Sequence, residues 1–118
     1  RLDNDRDRNK GDEVSRESAM ARGRQWETEC AEKFGGIRLG RPHEPDVVAP
    51  DLVIECKNEE GLAVSSNAIN KARLDSERGP GKGKHWCVAK RQKGSHSFTA
   101  TIDGDFFLEL LELRRAIH

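Results

Sequence analysis

The sequence lacks a long apolar segment: no stretch reaches the roughly 18 consecutive apolar residues that a membrane-spanning helix needs. No segment has the pattern of a secretory signal peptide either. Cysteine is scarce, and Cys30, Cys56 and Cys87 lie far apart with no C-x-x-C pair among them. This odd count argues against a disulfide framework and against a zinc knuckle. We therefore expect free, buried thiols in a cytoplasmic protein, or one of the host cytoplasm if its source is viral.

Net charge is also absent, because 21 basic residues balance 21 acidic residues in a chain of 118. Their distribution along the chain is uneven. Residues 44–60 hold six acidic residues and one lysine, whereas residues 71–93 hold eight basic and two acidic residues. An acidic segment followed by a basic one is typical of a site that holds cations beside a polyanion. An ordinary surface with clustered charges would have the same composition.

The pattern of apolar residues predicts a charged arm and one domain. Residues 1–17 alternate in charge with almost no apolar side chains, which indicates a flexible arm that is disordered or loosely helical. Residues 18–118 are expected to form a single domain. Helices are predicted at 18–34, at 65–77 and from 105 onward, and strands at 37–39, 46–48, 52–57, 85–90 and 97–102. This order (α-β-β-β-α-β-β-α) predicts an α/β fold with a central mixed β-sheet flanked by helices.

Four polar residues stand out within this pattern: Glu27, Asp46, Glu55 and Lys57. Strand alternation puts Glu55 and Lys57 on one face, and a tight turn at 49–51 would bring Asp46 close to Glu55. Glu27 is expected at the middle of the apolar face of the first helix, where a carboxylate needs a partner. Converging carboxylates are suited to a hard divalent cation such as Mg²⁺. Lys57 beside them could orient or deprotonate a water molecule.

Ordinary structural roles remain open for the same residues. Glu55 and Lys57 could form an exposed ion pair, which contributes little to stability. Glu27 could simply pair with Arg24 or Lys71. The functional interpretation is favoured because it accounts for all the positions together.

The residues also carry a resemblance to a known family. Pro45-Asp46, followed by Glu55-Cys56-Lys57 at the end of an apolar strand, resembles the signature of the PD-(D/E)XK nucleases. Arg22-Gly23 ahead of Glu27 is similar to the opening of the Holliday-junction resolvase branch, which includes small phage-type enzymes. The resemblance extends from about residue 20 to residue 107 and implies a restriction-endonuclease-like core.

The resemblance implies a Mg²⁺-dependent endodeoxyribonuclease, with Mn²⁺ as a substitute, that acts on branched DNA as a homodimer. Its metal ligands would be Glu27, Asp46 and Glu55, and its catalytic set these three together with Lys57. Asp51 also follows a proline and competes with Asp46, but it would lie in the turn and ranks second. The alternatives are a restriction-like or mismatch-nicking endonuclease of the same fold, or a non-catalytic DNA-binding module.

Basic residues near the predicted site are candidates for phosphate contacts. Some flank the start of the first helix and others lie in or after the glycine-lysine loop at 79–84, which could equally be a mobile, solvated loop. The predicted DNA-binding residues are Arg22, Arg24, Lys71, Lys82, Lys84, Lys90 and Arg91.

Overall fold

The computed structural model describes the backbone of residues 2–117 and the side chains of residues 16–117. The elements in chain order are α1 (Leu2–Phe34), β1 (Ile37–Arg38), β2 (Val47–Val48), β3 (Leu52–Glu59), α2 (Ser66–Glu77), β4 (His85–Gln92), β5 (Phe98–Ile102) and α3 (Gly104–Ile117). A short 3-10 helix at Gly79–Gly81 connects α2 to β4. The predicted α/β fold and order of elements are confirmed. The five-stranded mixed sheet with its three helices is consistent with a restriction-endonuclease-like core.

The first helix is longer than the sequence predicts. The expected start was residue 18, but α1 begins at Leu2 and includes most of the expected arm. The lack of apolar periodicity hid this part, although arginine, lysine and glutamate are good helix formers. The side chains of residues 1–15 lie outside the described residues, so the flexibility of the arm stays a prediction.

The glycine pair after α1 ends the helix as expected. Gly35 has a φ of 66°, and the N–H of Gly36 donates to the carbonyl of Ala31 at 2.8 Å. This is the Schellman pattern of a helix end, for which glycine is favoured at the left-handed position. The chain then turns directly into β1.

The sheet has the strand order β1-β2-β3-β4-β5. Adjacent strands are antiparallel except for β3 and β4, which are parallel and are connected through α2. Helix α1 packs on one face, where Trp26 and Cys30 contact a cluster that includes Ile54 and Cys87. Helix α2 packs on the other face against Val88. The central strand β3 therefore carries residues that face α1 and residues that face α2 in alternation.

Helix α2 is held firmly at both ends. Ser65 caps it, because its hydroxyl accepts the N–H of Ala68 at 3.1 Å. The buried positions are Ala68, Ala72 and Asp75, so an apolar stripe ends in a carboxylate. Gly81 follows closely, and a Cβ there would collide with the carbonyl of Asp75. The chain after α2 therefore passes so close to the backbone of Asp75 that residue 81 must be a glycine.

The three cysteines are free thiols, as expected, with Cys30 and Cys87 buried. Burial raises the pKa of Cys87 to about 12, so its thiol stays protonated at neutral pH. A hydrogen bond with Cys30 and burial raise the pKa of Cys56 as well. Cys30 and Cys87 belong to the hydrophobic core, and the partly buried Cys56 packs against it.

None of the helices in the described part of the chain is long and apolar enough to cross a membrane.

Candidate active site

The β2–β3 hairpin brings two of the predicted carboxylates together. The strands pair Val47 with Ile54, and the N–H of Ala49 donates to the carbonyl of Leu52 at 2.8 Å to close the turn. Continuing this register by one residue puts Asp46 opposite Glu55, where side chains of an antiparallel pair share a face. The expected hairpin is confirmed.

Asp51 lies in the exposed turn at the other end of this hairpin. The structure therefore brings Asp46, and not Asp51, to Glu55. Both aspartates follow a proline, so that motif does not distinguish them, but the strand register does.

Asp46 is attached to the edge of β3 by a backbone hydrogen bond. Because the β2–β3 pairing ends at Val47, the next N–H on this edge, that of Cys56, donates to Oδ2 of Asp46 at 2.9 Å. Burial and then the negative charge of Glu55 raise the pKa of Asp46 to about 6, although the Cys56 N–H opposes this shift. Glu27 raises it further. Asp46 thus lies within electrostatic reach of both other predicted carboxylates.

Glu55 is buried between two ammonium groups. Only 5% of Glu55 is exposed. Its Oε2 accepts a hydrogen bond from Nζ of Lys71 at 2.7 Å, and its Oε1 lies 3.7 Å from Nζ of Lys57. Lys71 also donates to Oδ2 of Asp75 at 2.9 Å and to the carbonyl of Glu44 at 3.2 Å. Glu55 and Lys57 are therefore more than an exposed ion pair on a strand.

Lys71 is a charged partner for two buried carboxylates. Burial alone would lower the pKa of Lys71, but its hydrogen bonds to Glu55 and Asp75 raise that pKa above its usual value. Sequence reasoning missed Asp75. Two signals could have found it: it lies four residues after Lys71 on α2, and it continues the stripe of Ala68 and Ala72.

Glu27 lies at the border of the buried face of α1, and the expectation that it sits at the middle of that face is wrong. Trp26 and Cys30 occupy the middle, with exposures of 1% and 0%. Oε2 of Glu27 accepts a hydrogen bond from Nε of Arg38 at 2.7 Å. The partner is thus an arginine of β1, and neither Arg24 nor Lys71, the two partners that the sequence suggested.

An open pocket of about 390 Å³ adjoins these residues. It combines the carboxylates of Glu27 and Asp46 with the guanidinium groups of three arginines. The lining residues are Met20, Gly23, Arg24, Glu27, Arg38, Gly40, Arg41, Pro42 and Asp46. Nearby, His43 has a φ of 63°, an uncommon value for a residue other than glycine that often marks a functional loop.

The carboxylates do not form a complete metal cage. Among the described residues, no group of three or more His, Cys, Asp or Glu side chains is arranged to hold a metal ion. Mg²⁺ commonly takes one or two protein carboxylates and completes its shell with water and phosphate oxygens. The pair Asp46 and Glu55 fits that donor set, whereas Glu27 is held apart by Arg38.

The predicted DNA-binding residues divide into two groups. Arg22, Arg24 and Lys82 are exposed, and Arg24 also lines the pocket. The other four contact protein groups, and their DNA-binding role stays a prediction. Lys71 binds Glu55; Lys84 donates to the carbonyl of Pro50; Lys90 is buried and donates to the carbonyl of Ala63; Arg91 binds Glu29 and lies over Trp26.

The chain was compared with protein-family models, with curated proteins and with solved structures, and none of the three comparisons found a match. The functional interpretation therefore depends on the geometry of the site and on the sequence motifs.

Replacing Asp46 with asparagine should change the pH dependence of stability. The pKa of Asp46 rises from 3.8 to about 6 on folding, so its contribution to stability is full below pH 3.8 and is lost as the pH rises through 6. Asparagine does not ionise, so the Asp46→Asn variant does not lose this stability as the pH rises. We expect the free energy of unfolding of the variant to gain roughly 1–3 kcal/mol on the wild type between about pH 4 and 7. Urea unfolding with EDTA measures it.

The matched control is Asp51→Asn, since Asp51 also follows a proline but is exposed. The difference in the free energy of unfolding between Asp51→Asn and the wild type should be the same at every pH. Parallel stability curves for Asp46→Asn and the wild type would contradict the assigned environment of Asp46.

Removing the charge of Lys71 should destabilise the fold strongly. Lys71→Met removes the cation that is hydrogen-bonded to both Glu55 and Asp75 and leaves them only the longer contacts to Lys57 and Arg78. We expect a loss of roughly 2–4 kcal/mol in the free energy of unfolding. Adding Glu55→Gln should recover part of this loss, because the uncompensated charge is then gone. Lys82→Met, at an exposed lysine, is the control and should change stability by less than about 0.5 kcal/mol. Equal effects of the two lysine variants would contradict the buried pairing.

Proposed function

We propose that the chain is a divalent-metal-dependent endodeoxyribonuclease that acts on branched DNA such as a four-way junction. The observation that carries the proposal is the register of the β2–β3 hairpin, which places Asp46, just before β2, level with Glu55 of β3. Nζ of Lys57 lies 3.7 Å from Oε1 of the same glutamate. Burial and, after it, the negative charge of Glu55 raise the pKa of Asp46 to about 6, so the two carboxylates disfavour each other's ionisation. A hard cation shared by both carboxylates would relieve this repulsion.

Mg²⁺, with Mn²⁺ as a substitute, fits this pair of carboxylates. When bound, such an ion supplies a water that is more acidic than bulk water and neutralises charge on the phosphate. Asp46 presents an oxygen at the open edge of β3, while the Cys56 N–H holds its other oxygen in place. Glu55 is held from the opposite side by Lys71 and so keeps a defined orientation.

Lys57 is the residue we propose to act on the reacting atoms. Its ammonium group lies on the same face as Glu55, near the oxygen that Lys71 leaves free. From there it can hold the attacking water or offset the charge that develops on the phosphate. Its side chain is 33% exposed, so it is accessible from solvent.

The neighbouring pocket supplies contacts for the DNA backbone. Arg24 and Arg41 are exposed to solvent. The ion pair between Arg38 and Glu27 holds Arg38 beside them. Guanidinium groups bind phosphate oxygens in a bidentate manner, which orients the strand at the carboxylates. The preference for branched DNA, the homodimer and a cytoplasmic location are part of this proposal and derive from the sequence motifs.

A non-catalytic DNA-binding module is the second candidate. The observation that favours it is that Glu27, Glu55 and Asp75 already have positively charged partners. In such a protein the ion pairs would be structural, and bound DNA would not be cleaved when Mg²⁺ or Mn²⁺ is added.

Cleavage of a four-way junction and of a linear duplex with Mg²⁺ or Mn²⁺ tests the proposal. We expect the junction to be cut in preference to the duplex. Asp46→Asn and Glu55→Gln should each abolish cleavage and leave junction binding intact, because they remove negative charge from the metal site and not cations from the DNA surface. Junction binding is measured by gel shift in EDTA.

Asp51→Asn and Glu59→Gln are the matched controls, since both residues are exposed and lie on the same hairpin. Each should cut like the wild type. Absence of cleavage with either metal would leave the DNA-binding module, and equal cutting of both substrates would replace the junction resolvase with a restriction-like or nicking enzyme. Activity that survives Asp46→Asn would remove this residue from the site.

A further inference from the structure

Helix α3 exposes a large apolar surface. None of its residues is buried. Leu110, Leu113 and Ile117 are 42%, 61% and 78% exposed, and Phe107 and Leu108 are exposed to about half. Single exposed apolar side chains are ordinary, but a contiguous group of this size commonly marks an interaction surface.

The spacing within this surface is that of a helix pair. Phe106, Leu110, Leu113 and Ile117 follow one another at intervals of four, three and four residues, which is the seam of a coiled coil. Phe106 stacks on His85 with ring centroids 3.8 Å apart, where the helix leaves the sheet. The three residues after it have no such contact with the sheet and grow more exposed along the helix.

We propose that α3 pairs in parallel with α3 of a second copy of this chain, and that these three residues form the contact. The charges beside the seam favour this occupant. Glu109 lies on one side of the seam, and Arg114, five residues later, lies on the other. In a parallel pair these two positions face each other across the interface, so that each Glu109 meets the partner's Arg114.

An antiparallel pair would not use these charges. In that arrangement the same side of the seam meets on both helices. Glu109 would then face Ala116 of the second copy, and Arg114 would face its Phe107. Among the ion pairs in residues 16–117, none involves Glu109 or Arg114. Both charges are therefore available to a partner.

This surface is separate from the candidate active site. Helix α3 follows β5 at one edge of the sheet, whereas Asp46 and Glu55 lie on the β2–β3 side. Self-association through α3 therefore leaves the site edge of each copy open. The inference rests on the proposed function for the homodimer, to which it assigns a surface, but nuclease activity is not needed for the association, so the two can fail separately.

Sedimentation equilibrium of the full chain over a wide concentration range tests the proposal. The wild type should show a concentration-dependent dimer, and Leu113→Glu should stay monomeric throughout. Arg114→Glu or Glu109→Arg alone should raise the dissociation constant roughly tenfold, because two attractive pairs become repulsive in each dimer. The double variant, with both charges exchanged, should restore the wild-type value.

Arg115→Glu and Glu112→Arg are the matched controls, since they make the same changes of charge on the same helix but away from the seam. They should associate like the wild type, and circular dichroism should show equal helix content in every variant. A monomeric wild type, or Leu113→Glu without effect, would overturn the proposal. So would equal weakening by Arg114→Glu and Arg115→Glu, or a double variant that fails to recover.

Discussion

The register of the β2–β3 hairpin is the constraint on which the candidate site depends. It sets Asp46 opposite Glu55 and leaves the Cys56 N–H available to the Asp46 carboxylate. A slip of one residue would turn Asp46 to the other face of the sheet. On its other side β2 pairs with β1, and the chain before β1 approaches it so closely that a Cβ on Gly36 would lie 2.6 Å from the carbonyl oxygen of Val48. The position after α1 therefore requires a glycine.

The carboxylates around this hairpin differ in how their charge is balanced. Lys71 forms ion pairs with both Glu55 and Asp75, and Glu27 forms an ion pair with Arg38. Among the described ion pairs none includes Asp46, which has only a backbone N–H. Burial and the nearby negative charge of Glu55 raise its pKa to about 6. Asp46 is the position at which an added cation would stabilise the site most, and this supports the proposed metal dependence.

Local patterns in the sequence predicted most elements and the placement of Glu55 and Lys57, since strand alternation and turn residues act over a few positions. They did not show that Glu55 and Asp75 share Lys71 as their cation, because the hydrogen bond from Lys71 to Glu55 joins α2 to β3. The length of α1 was missed for another reason: a helix built of charged residues has no apolar periodicity. The pairing of Glu27 was open from sequence, because β1 has only two residues and its position is set by the sheet.

The central claim is that Asp46 and Glu55 together bind a divalent cation. Isothermal titration of the wild-type chain with Mn²⁺ at neutral pH, without DNA, tests it most directly, with Asp46→Asn and Asp51→Asn titrated in parallel. The account predicts saturable binding by the wild type and by Asp51→Asn, and its loss in Asp46→Asn. Equal Mn²⁺ binding by all three proteins, or none by the wild type, would contradict it.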